Sequence, residues 1–191
     1  AELVLFAPLK EFVFVIGDFN NWEVSSDFQM KKDGDYFWID IPNLEKGKEY
    51  AFQYFIDGAI KVADPYTEKI LDPWNDGYIT SEVYPNLLSY PNGKTSGVTA
   101  VLQPGQEDYN WEVPNFEVPE KNKMVIYELL IRDFTTEHTY KAVLENLDYL
   151  EDLRVNVLEL MPVNEFEGNN SWGYNPSFYF APDKYYGPKN E

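Results

Sequence analysis

Aromatic and amide side chains are concentrated near the carboxyl-terminal end of the chain, in residues 166–186. The rings of Trp172 and Tyr174 lie among them, interleaved with glycines and with amides such as Asn169 and Asn175. Flat rings can cover the apolar face of a pyranose while amides meet its hydroxyl groups, and small-molecule sites commonly combine apolar walls with a few polar groups. The stretch therefore predicts a site for a sugar.

The charge balance of the chain disfavours several classes of partner. Fifteen lysines and arginines stand against 33 aspartates and glutamates, which gives a formal net charge of −18 over 191 residues. Nucleic acid and anionic membrane surfaces are therefore not expected as partners, whereas a neutral polyhydroxylated ligand is compatible. The chain has no cysteine, which excludes disulfides and thiolate nucleophiles and leaves the cellular compartment undetermined. No apolar run is long enough to predict a membrane span.

The first 80 residues have the pattern of an antiparallel β-sandwich. Short runs of period two are separated by turn residues, and Asp33-Gly34 and Asp57-Gly58 lie between paired runs as hairpin signals. The predicted strands are Leu3–Phe6, Phe12–Ile16, Tyr36–Ile41, Tyr50–Ile56 and Ala59–Val62. We predict an immunoglobulin-like module over residues 1–80. Residues 81–122 are rich in proline and predict an extended connection, within which Val98–Leu102 could form a further strand.

The periodicity changes after residue 122. Met124–Ile131 is an apolar run that predicts a strand buried on both faces, and Val155–Met161 predicts a second one. Between them, apolar residues at helical spacing predict an amphipathic helix over 140–153. A strand, helix and strand in this order predict a parallel pair. Ligands bind at the carboxyl ends of such strands, which is where the aromatic stretch begins.

Other residues with chemical potential are better explained by structure. His138 is the single histidine, and it precedes a predicted helix among polar neighbours, as a surface residue does. Glu128 and Glu159 lie on the two predicted parallel strands and could act as an acid and a nucleophile. Both lie inside strands rather than at their carboxyl ends, so we expect them to be buried groups with partners such as Arg132.

These motifs resemble the amino-terminal part of the α-amylase family of glycoside hydrolases (family 13 type). VIYELLIRDFT at 125–135 resembles the first strand of the family's barrel, and LELMPVNE at 158–165 with WGYNP at 172–176 resembles its second strand and following loop. Upstream, VIGDFNNW at 15–22 and VADPY at 62–66 resemble the glycogen-binding (CBM48-like) module that precedes this barrel. The resemblance implies a two-part α+β chain, in which the sandwich is followed at 123–191 by an incomplete (β/α)8 barrel segment.

The resemblance also implies a retaining reaction on α-glucosidic linkages of starch- or glycogen-type glucans, by hydrolysis or transglycosylation. Two carboxyl groups about 5 Å apart perform such reactions through a covalent intermediate. In the family these groups lie on later strands, so we expect no catalytic residue in this chain and no activity from it alone. No cofactor is expected, and a calcium requirement of a longer protein is left open. The alternatives are a non-catalytic glucan-binding protein and a fragment that self-associates through its incomplete barrel sheet.

The same resemblance assigns the candidate binding residues. The family's tyrosine at the position of Tyr174 stacks on the sugar at the cleavage point, and Trp172, Asn175 and Asn164 are candidates for the same subsite, with loop packing as the alternative. Trp22 matches a ring that binds glucan in stand-alone modules. Gln53 and Ile60 replace the expected lysine and second tryptophan, so we expect structural packing of this module rather than sugar binding.

Overall fold

The structure is a computed structural model that describes residues 1–189, so the last two residues of the predicted segment 123–191 lie outside the described residues. Two compact units divide the chain: the first has residues 1–77 and 88–106, and the second has residues 78–87 and the chain from 107 onward. The residues predicted as a connection, 81–122, are thus shared between the two units. The predicted domain boundaries at 80 and 122 stay a prediction.

The first unit contains two antiparallel sheets, which confirms the predicted β-sandwich. One sheet has the order β1-β4-β3, and the other has the order β2-β5-β8-β7 with β6 paired to β5. The strands are β1 (Glu2–Phe6), β2 (Val13–Gly17), β3 (Lys31–Asp33), β4 (Tyr36–Asp40), β5 (Tyr50–Ile56), β6 (Ile60–Val62), β7 (Ile70–Leu71) and β8 (Thr99–Leu102). Short 3-10 helices follow β2 and precede β3, at Asp18–Asn20 and Ser26–Phe28.

Alternating side chains build the core of this unit. In β1 and β4 the inward residues, such as Leu5 and Phe37, are buried, while their neighbours Phe6 and Tyr36 are exposed. Strand β5 is different because nearly all of its residues are buried, including Gln53. A strand paired on both sides and covered on both faces reads as a continuous apolar run, which is how the sequence of β5 appears.

Both predicted hairpin turns are confirmed. Asp57 and Gly58 join β5 to β6 with φ values of 49° and 69°, and Gly34 joins β3 to β4 with a φ of 59°. The Asp57 carboxylate also accepts hydrogen bonds from the backbone N–H groups of Glu11 and Phe12, at 2.9 and 3.1 Å. This turn therefore ties the start of β2 to the end of β5, and the carboxylate charge is part of that tie.

The second unit contains a parallel strand pair, short helices and an antiparallel hairpin. Strands β9 and β10 are parallel, as predicted, and Leu129 pairs with Leu160. The elements are β9 (Ile126–Leu129), α1 (Ile131–Phe134), α2 (Tyr140–Glu145), α3 (Leu147–Asp152), β10 (Val157–Leu160), β11 (Asn164–Phe166) and β12 (Pro176–Pro182). Leu129, Val143 and Leu150 lie in one apolar cluster, so one face of the parallel pair packs against the helices.

Three details of the prediction for this unit were wrong. The single helix over 140–153 is interrupted at Asn146, whose side chain donates to the carbonyl of Ala142 at 2.8 Å and whose φ of −112° is not helical. The strand predicted to reach residue 131 ends at Leu129, and α1 begins at Ile131. The strands are also not buried on both faces, because the helices cover only one and Ile126 and Glu128 are exposed on the other.

No helix within residues 1–189 combines the length and the apolar character that crossing a membrane requires.

Candidate functional site

The aromatic stretch, predicted as a loop, forms a β-hairpin after β10. Strands β11 and β12 pair antiparallel with two register shifts, and Phe166 faces Pro176 at the end that leads into the tip. Irregular pairing of this kind is common next to binding sites, where a bulge changes the direction of a side chain. Residues 167–175 form the tip, which we call the aromatic tip, and it carries Trp172 and Tyr174.

An arginine connects the aromatic tip to the carboxyl end of β9. Arg132, in α1 just after β9, donates from Nη1 to Asn170 Oδ1 at 2.6 Å and to the Ser171 carbonyl at 3.3 Å. Its other guanidinium nitrogens hold the carboxylate of Asp133 at 2.7 and 3.0 Å. This hydrogen-bonded ion pair lowers the pKa of Asp133 and raises that of Arg132. The planar fork thus links the tip, through Nη1, to Asp133 in α1.

A glycine brings the same tip against the carboxyl end of β10. Gly173 has a φ of 87°, and a Cβ atom there would lie 2.1 Å from the carbonyl oxygen of Pro162. Only glycine fits so close a backbone approach with a left-handed φ. The tip therefore lies over the carboxyl ends of both parallel strands, since Pro162 follows β10 and Arg132 follows β9.

Hydrogen bonds within the aromatic tip hold the backbone that carries its two exposed rings. The Ser171 hydroxyl donates to Asn175 Oδ1 and accepts from the backbone N–H of Gly173 at 3.0 Å. Trp172 and Tyr174 flank Gly173 and are 61% and 65% exposed. Large rings that remain exposed on a hydrogen-bonded loop are available to a ligand at a low entropic cost of ordering.

A buried ion pair closes the base of the hairpin. Lys184 Nζ donates to Glu165 Oε1, the Lys184 backbone N–H donates to the same oxygen at 3.2 Å, and both side chains are almost fully buried. Burial raises the pKa of the Glu165 carboxyl, and the Lys184 charge opposes that shift. The neighbouring Tyr186 ring packs edge-on against Phe166 and Tyr140. The hairpin thus stands on a packed aromatic and ionic base.

The predicted binding residues occupy different settings. Trp172, Tyr174 and Asn175 lie together on the aromatic tip, whereas Asn164 is half-buried at the base and donates to the Tyr179 carbonyl at 2.6 Å. Trp22 lies in the first unit, is 7% exposed and donates from its indole nitrogen to Asp18 at 2.9 Å. An indole this buried offers little ring face for stacking, and binding roles for all five residues stay predictions.

Gln53, which replaces the expected lysine, has a structural role. It is fully buried and donates to the carbonyls of Ser96 and Val98 at 3.0 and 2.8 Å. Its own oxygen accepts from the Thr95 hydroxyl at 2.6 Å. Gln53 thereby holds the chain that enters β8 and does not face solvent.

The two strand carboxylates differ from the expectation that they are buried beside Arg132. Glu128 and Glu159 are register partners in the parallel pair, and both are exposed on the face that the helices leave open. Arg132 is paired with Asp133 instead. His138 is exposed, as expected, and its Nδ1 contacts the carbonyl of Arg132.

In the part of the chain that the structure describes, no three or more acidic, histidine or cysteine side chains are grouped so as to hold a metal ion. The expectation that no cofactor is needed stays a prediction.

Arg132, Gly173 and the Glu165–Lys184 pair were not identified as site residues from sequence. Gly173 carried a signal, since a glycine between two aromatic residues indicates a backbone that approaches another chain segment closely. A lysine within an aromatic run, as at Lys184, indicates a buried charge that needs a partner. The partner of Arg132 lies 38 residues away, and nothing in the local pattern specifies it.

Comparison with known proteins gives matches to both units. Residues 2–75 match the family described as carbohydrate-binding module 48 (isoamylase N-terminal domain). A 1,4-alpha-glucan branching enzyme GlgB of Clostridium perfringens is 30% identical over 195 aligned residues, covering 96% of this chain and 27% of the enzyme. A malto-oligosyltrehalose trehalohydrolase of Saccharolobus solfataricus is 29% identical over 161, covering 84% of this chain and 24% of the enzyme.

Among solved structures, pullulanase type I from Bacillus subtilis, complexed with maltose, aligns over 97% of this chain and 26% of its own chain. The TM-score is 0.68 at 22% identity, which shows a shared fold. The chain spans about a quarter of the length of the curated relatives that it matches. Residues 2–75 thus match the carbohydrate-binding module 48 family, and the chain as a whole resembles the amino-terminal part of α-amylase-family glycoside hydrolases.

Proposed function

We propose that the aromatic tip forms one wall of a subsite for an α-glucan. In this proposal the ring of Tyr174 stacks on a glucose unit, Trp172 covers a neighbouring apolar surface, and Asn175 with Asn164 shapes the polar edge. The observation that carries the proposal is the pair of exposed rings on a tip fixed by Arg132. A preorganised wall binds without ordering a loop first, which favours affinity.

We further propose that β9, the helices and β10 are the first βαβ unit of a (β/α)8 barrel. The parallel pairing of the strands and the position of the aromatic tip at their carboxyl ends support it, because barrel enzymes bind substrates at that face. The branching enzyme and the trehalohydrolase align through this region over most of the chain. A barrel of this kind takes about 250 residues, so most of it would belong to a longer protein.

The longer protein would act on α-glucosidic linkages by retaining hydrolysis or transglycosylation, with α-glucan as its partner and neither nucleic acid nor membrane. Its two reacting carboxyl groups would lie about 5 Å apart at the strand ends. Glu128 and Glu159 do not qualify, because both lie inside strands. We propose that this chain supplies the binding module and one wall of the site, and that the reacting groups lie in later strands.

Two observations test this function together. Incubation of the purified chain with soluble starch should release no reducing ends above a blank, and turnover that copurifies with the chain would contradict it. The encoding gene should continue beyond residue 191 into a third strand that ends in Asn-His and then into three acidic motifs. A stop codon at that point would instead favour a non-catalytic glucan-binding protein.

Self-association is a second proposal, carried by the open face of the parallel pair. Ile126 is a large apolar residue that remains exposed there, beside its half-buried register partner Val157. Unpaired strand edges beside an exposed apolar residue are a template for pairing with another chain. Sedimentation velocity should show dimers of the wild type and monomers of the Ile126→Lys variant. A wild-type chain that stays monomeric throughout the micromolar range would contradict this proposal.

A further inference from the structure

The sheet β1-β4-β3 carries aromatic rings on its outward face. Phe6 and Tyr36 are register partners, and their ring centroids lie 5.1 Å apart with the ring planes tilted by 49°. They are 55% and 53% exposed, while the adjacent Leu5 and Phe37 are buried. Because side chains alternate along a strand, these two rings stand on the solvent side of the sandwich.

Trp38 extends the same surface along β4. It is the next outward residue after Tyr36, at a spacing of roughly 7 Å for two residues of a strand. Its register partners are the exposed Val4 on one side and Lys31 on the other. The Lys31 ammonium lies 4.3 Å from the centroid of a Trp38 ring, within cation–π range. We call Val4, Lys31, Tyr36 and Trp38, together with Phe6, the aromatic face.

Carboxylates border the aromatic face. Glu2 and Asp40 are outward register partners at one end of the sheet, and Asp33 is the register partner of Tyr36 at the other. All three are exposed. Together with the net charge of −18 they disfavour nucleic acid and anionic lipid surfaces. Carboxylates accept hydrogen bonds from hydroxyl groups, so the charge pattern is complementary to a neutral ligand that is rich in hydroxyls.

We propose that the aromatic face is a second binding site for an α-1,4-glucan chain, carried by the first unit. The inference rests on the proposed function for the class of ligand and goes beyond it in the location of the site. Tilted rings match successive units of an α-linked chain, which turn relative to one another, whereas a flat β-linked chain lies on coplanar rings. The site uses no part of Trp22 or Gln53, which are buried.

Retardation of the full chain in native gels that contain amylopectin tests the proposal. The double substitution Phe6→Ala/Tyr36→Ala should raise the apparent Kd about tenfold, since loss of ring contacts worth about 1.4 kcal/mol corresponds to a factor of ten. If the double variant is unstable, Tyr36→Thr replaces it, because threonine suits a strand. This single substitution also removes a ring and should raise the apparent Kd. Tyr36→Phe and Trp74→Ala, at an exposed ring outside this sheet, should bind like the wild type.

The outcomes separate this inference from the proposed function. Unchanged retardation of the double variant, or equal retardation by hydroxyethyl cellulose, would overturn the aromatic face as an α-glucan site. If Phe6→Ala/Tyr36→Ala also reduces retardation when it is introduced into the Tyr174→Ala chain, the result supports the aromatic face independently of the aromatic tip. If only Tyr174→Ala weakens binding, the aromatic face is refuted while the proposed subsite stands. If the double variant weakens binding and Tyr174→Ala does not, the proposed subsite is refuted while the aromatic face stands.

Discussion

Lys184 and Glu165 form an ion pair beneath the β11-β12 hairpin, with 3% and 7% of their side chains exposed. The pair joins two residues that are 19 positions apart, and the aromatic tip lies between them in sequence. A buried charge is tolerated only with a partner, so each member requires the other. Disruption of the pair should therefore release the segment that carries Trp172 and Tyr174.

Lys184→Met should destabilise the protein by about 3–5 kcal/mol, because it leaves the Glu165 carboxylate buried without its counter-charge. Urea unfolding followed by circular dichroism measures this change. The double variant Glu165→Gln/Lys184→Met should recover much of the loss. Lys123→Met is the matched control, since its ion pair with Glu120 at 2.9 Å is exposed and such pairs contribute about 0–1 kcal/mol. Equal effects at Lys184 and Lys123 would contradict the buried-pair account.

Gly173→Ala should displace the aromatic tip. The new methyl group would meet the Pro162 carbonyl, in addition to the cost of about 1–2 kcal/mol for a left-handed alanine. Gly168→Ala is the control, because its φ of 77° is similar and no atom lies within 4 Å of its Cβ position. Urea unfolding should show a larger loss at Gly173 than at Gly168. Equal losses would mean that the contact with Pro162 does not hold the tip.

The position of the tip could be predicted from sequence, but the contacts that hold it could not. The period-two runs and the Asp-Gly turns specified β4, β5 and β6, because both signals are local. Strand β3 consists of Lys31, Lys32 and Asp33 and has no apolar pattern, so its pairing with β4 was not recognised. The β11-β12 pairing was missed for a related reason, since two register shifts remove the regular alternation of strands.

Burial was harder to predict than secondary structure. Gln53 was compared with a lysine that binds sugar, yet its side chain lies inside the sandwich and satisfies backbone groups 43 and 45 residues away. Glu128 and Glu159 were expected to be buried because they lie in apolar runs. They face the open side of a two-stranded sheet, and sequence alone does not show how many strands cover a face.

Gln53→Leu should destabilise the first unit by roughly 1–3 kcal/mol, because the partly buried carbonyls of Ser96 and Val98 lose their donor. Gln53→Lys, which restores the lysine expected in a glycogen-binding module, should also destabilise it because the ammonium would be buried. Thermal and urea unfolding measure both effects. Gln103→Leu is the control, since its bond to the Gly47 carbonyl at 2.7 Å is exposed. If Gln53→Lys is as stable as the wild type, the side chain at this position can reach solvent.

Asp57 should make the sandwich sensitive to acid. Hydrogen bonds from the backbone N–H groups of Glu11 and Phe12 hold the pKa of this carboxyl below its ordinary value. A lowered pKa in the folded state contributes stability above the unfolded pKa of about 3.9, and this stability is lost as the pH falls through the folded pKa. Asp57→Asn should therefore lose less stability than the wild type between about pH 4 and pH 2. Parallel curves in urea unfolding across that range would contradict the role of the charge.

The central claim is that the ring of Tyr174 contacts an α-glucan, and calorimetric titration of the chain with maltoheptaose tests it most directly. Tyr174→Ala should weaken binding roughly tenfold, since a stacked ring contributes about 1 kcal/mol or more. Tyr174→Phe retains the ring and should bind like the wild type, as should Tyr149→Ala at an exposed ring of α3. Maltoheptaose binding that is unchanged in Tyr174→Ala would contradict the claim.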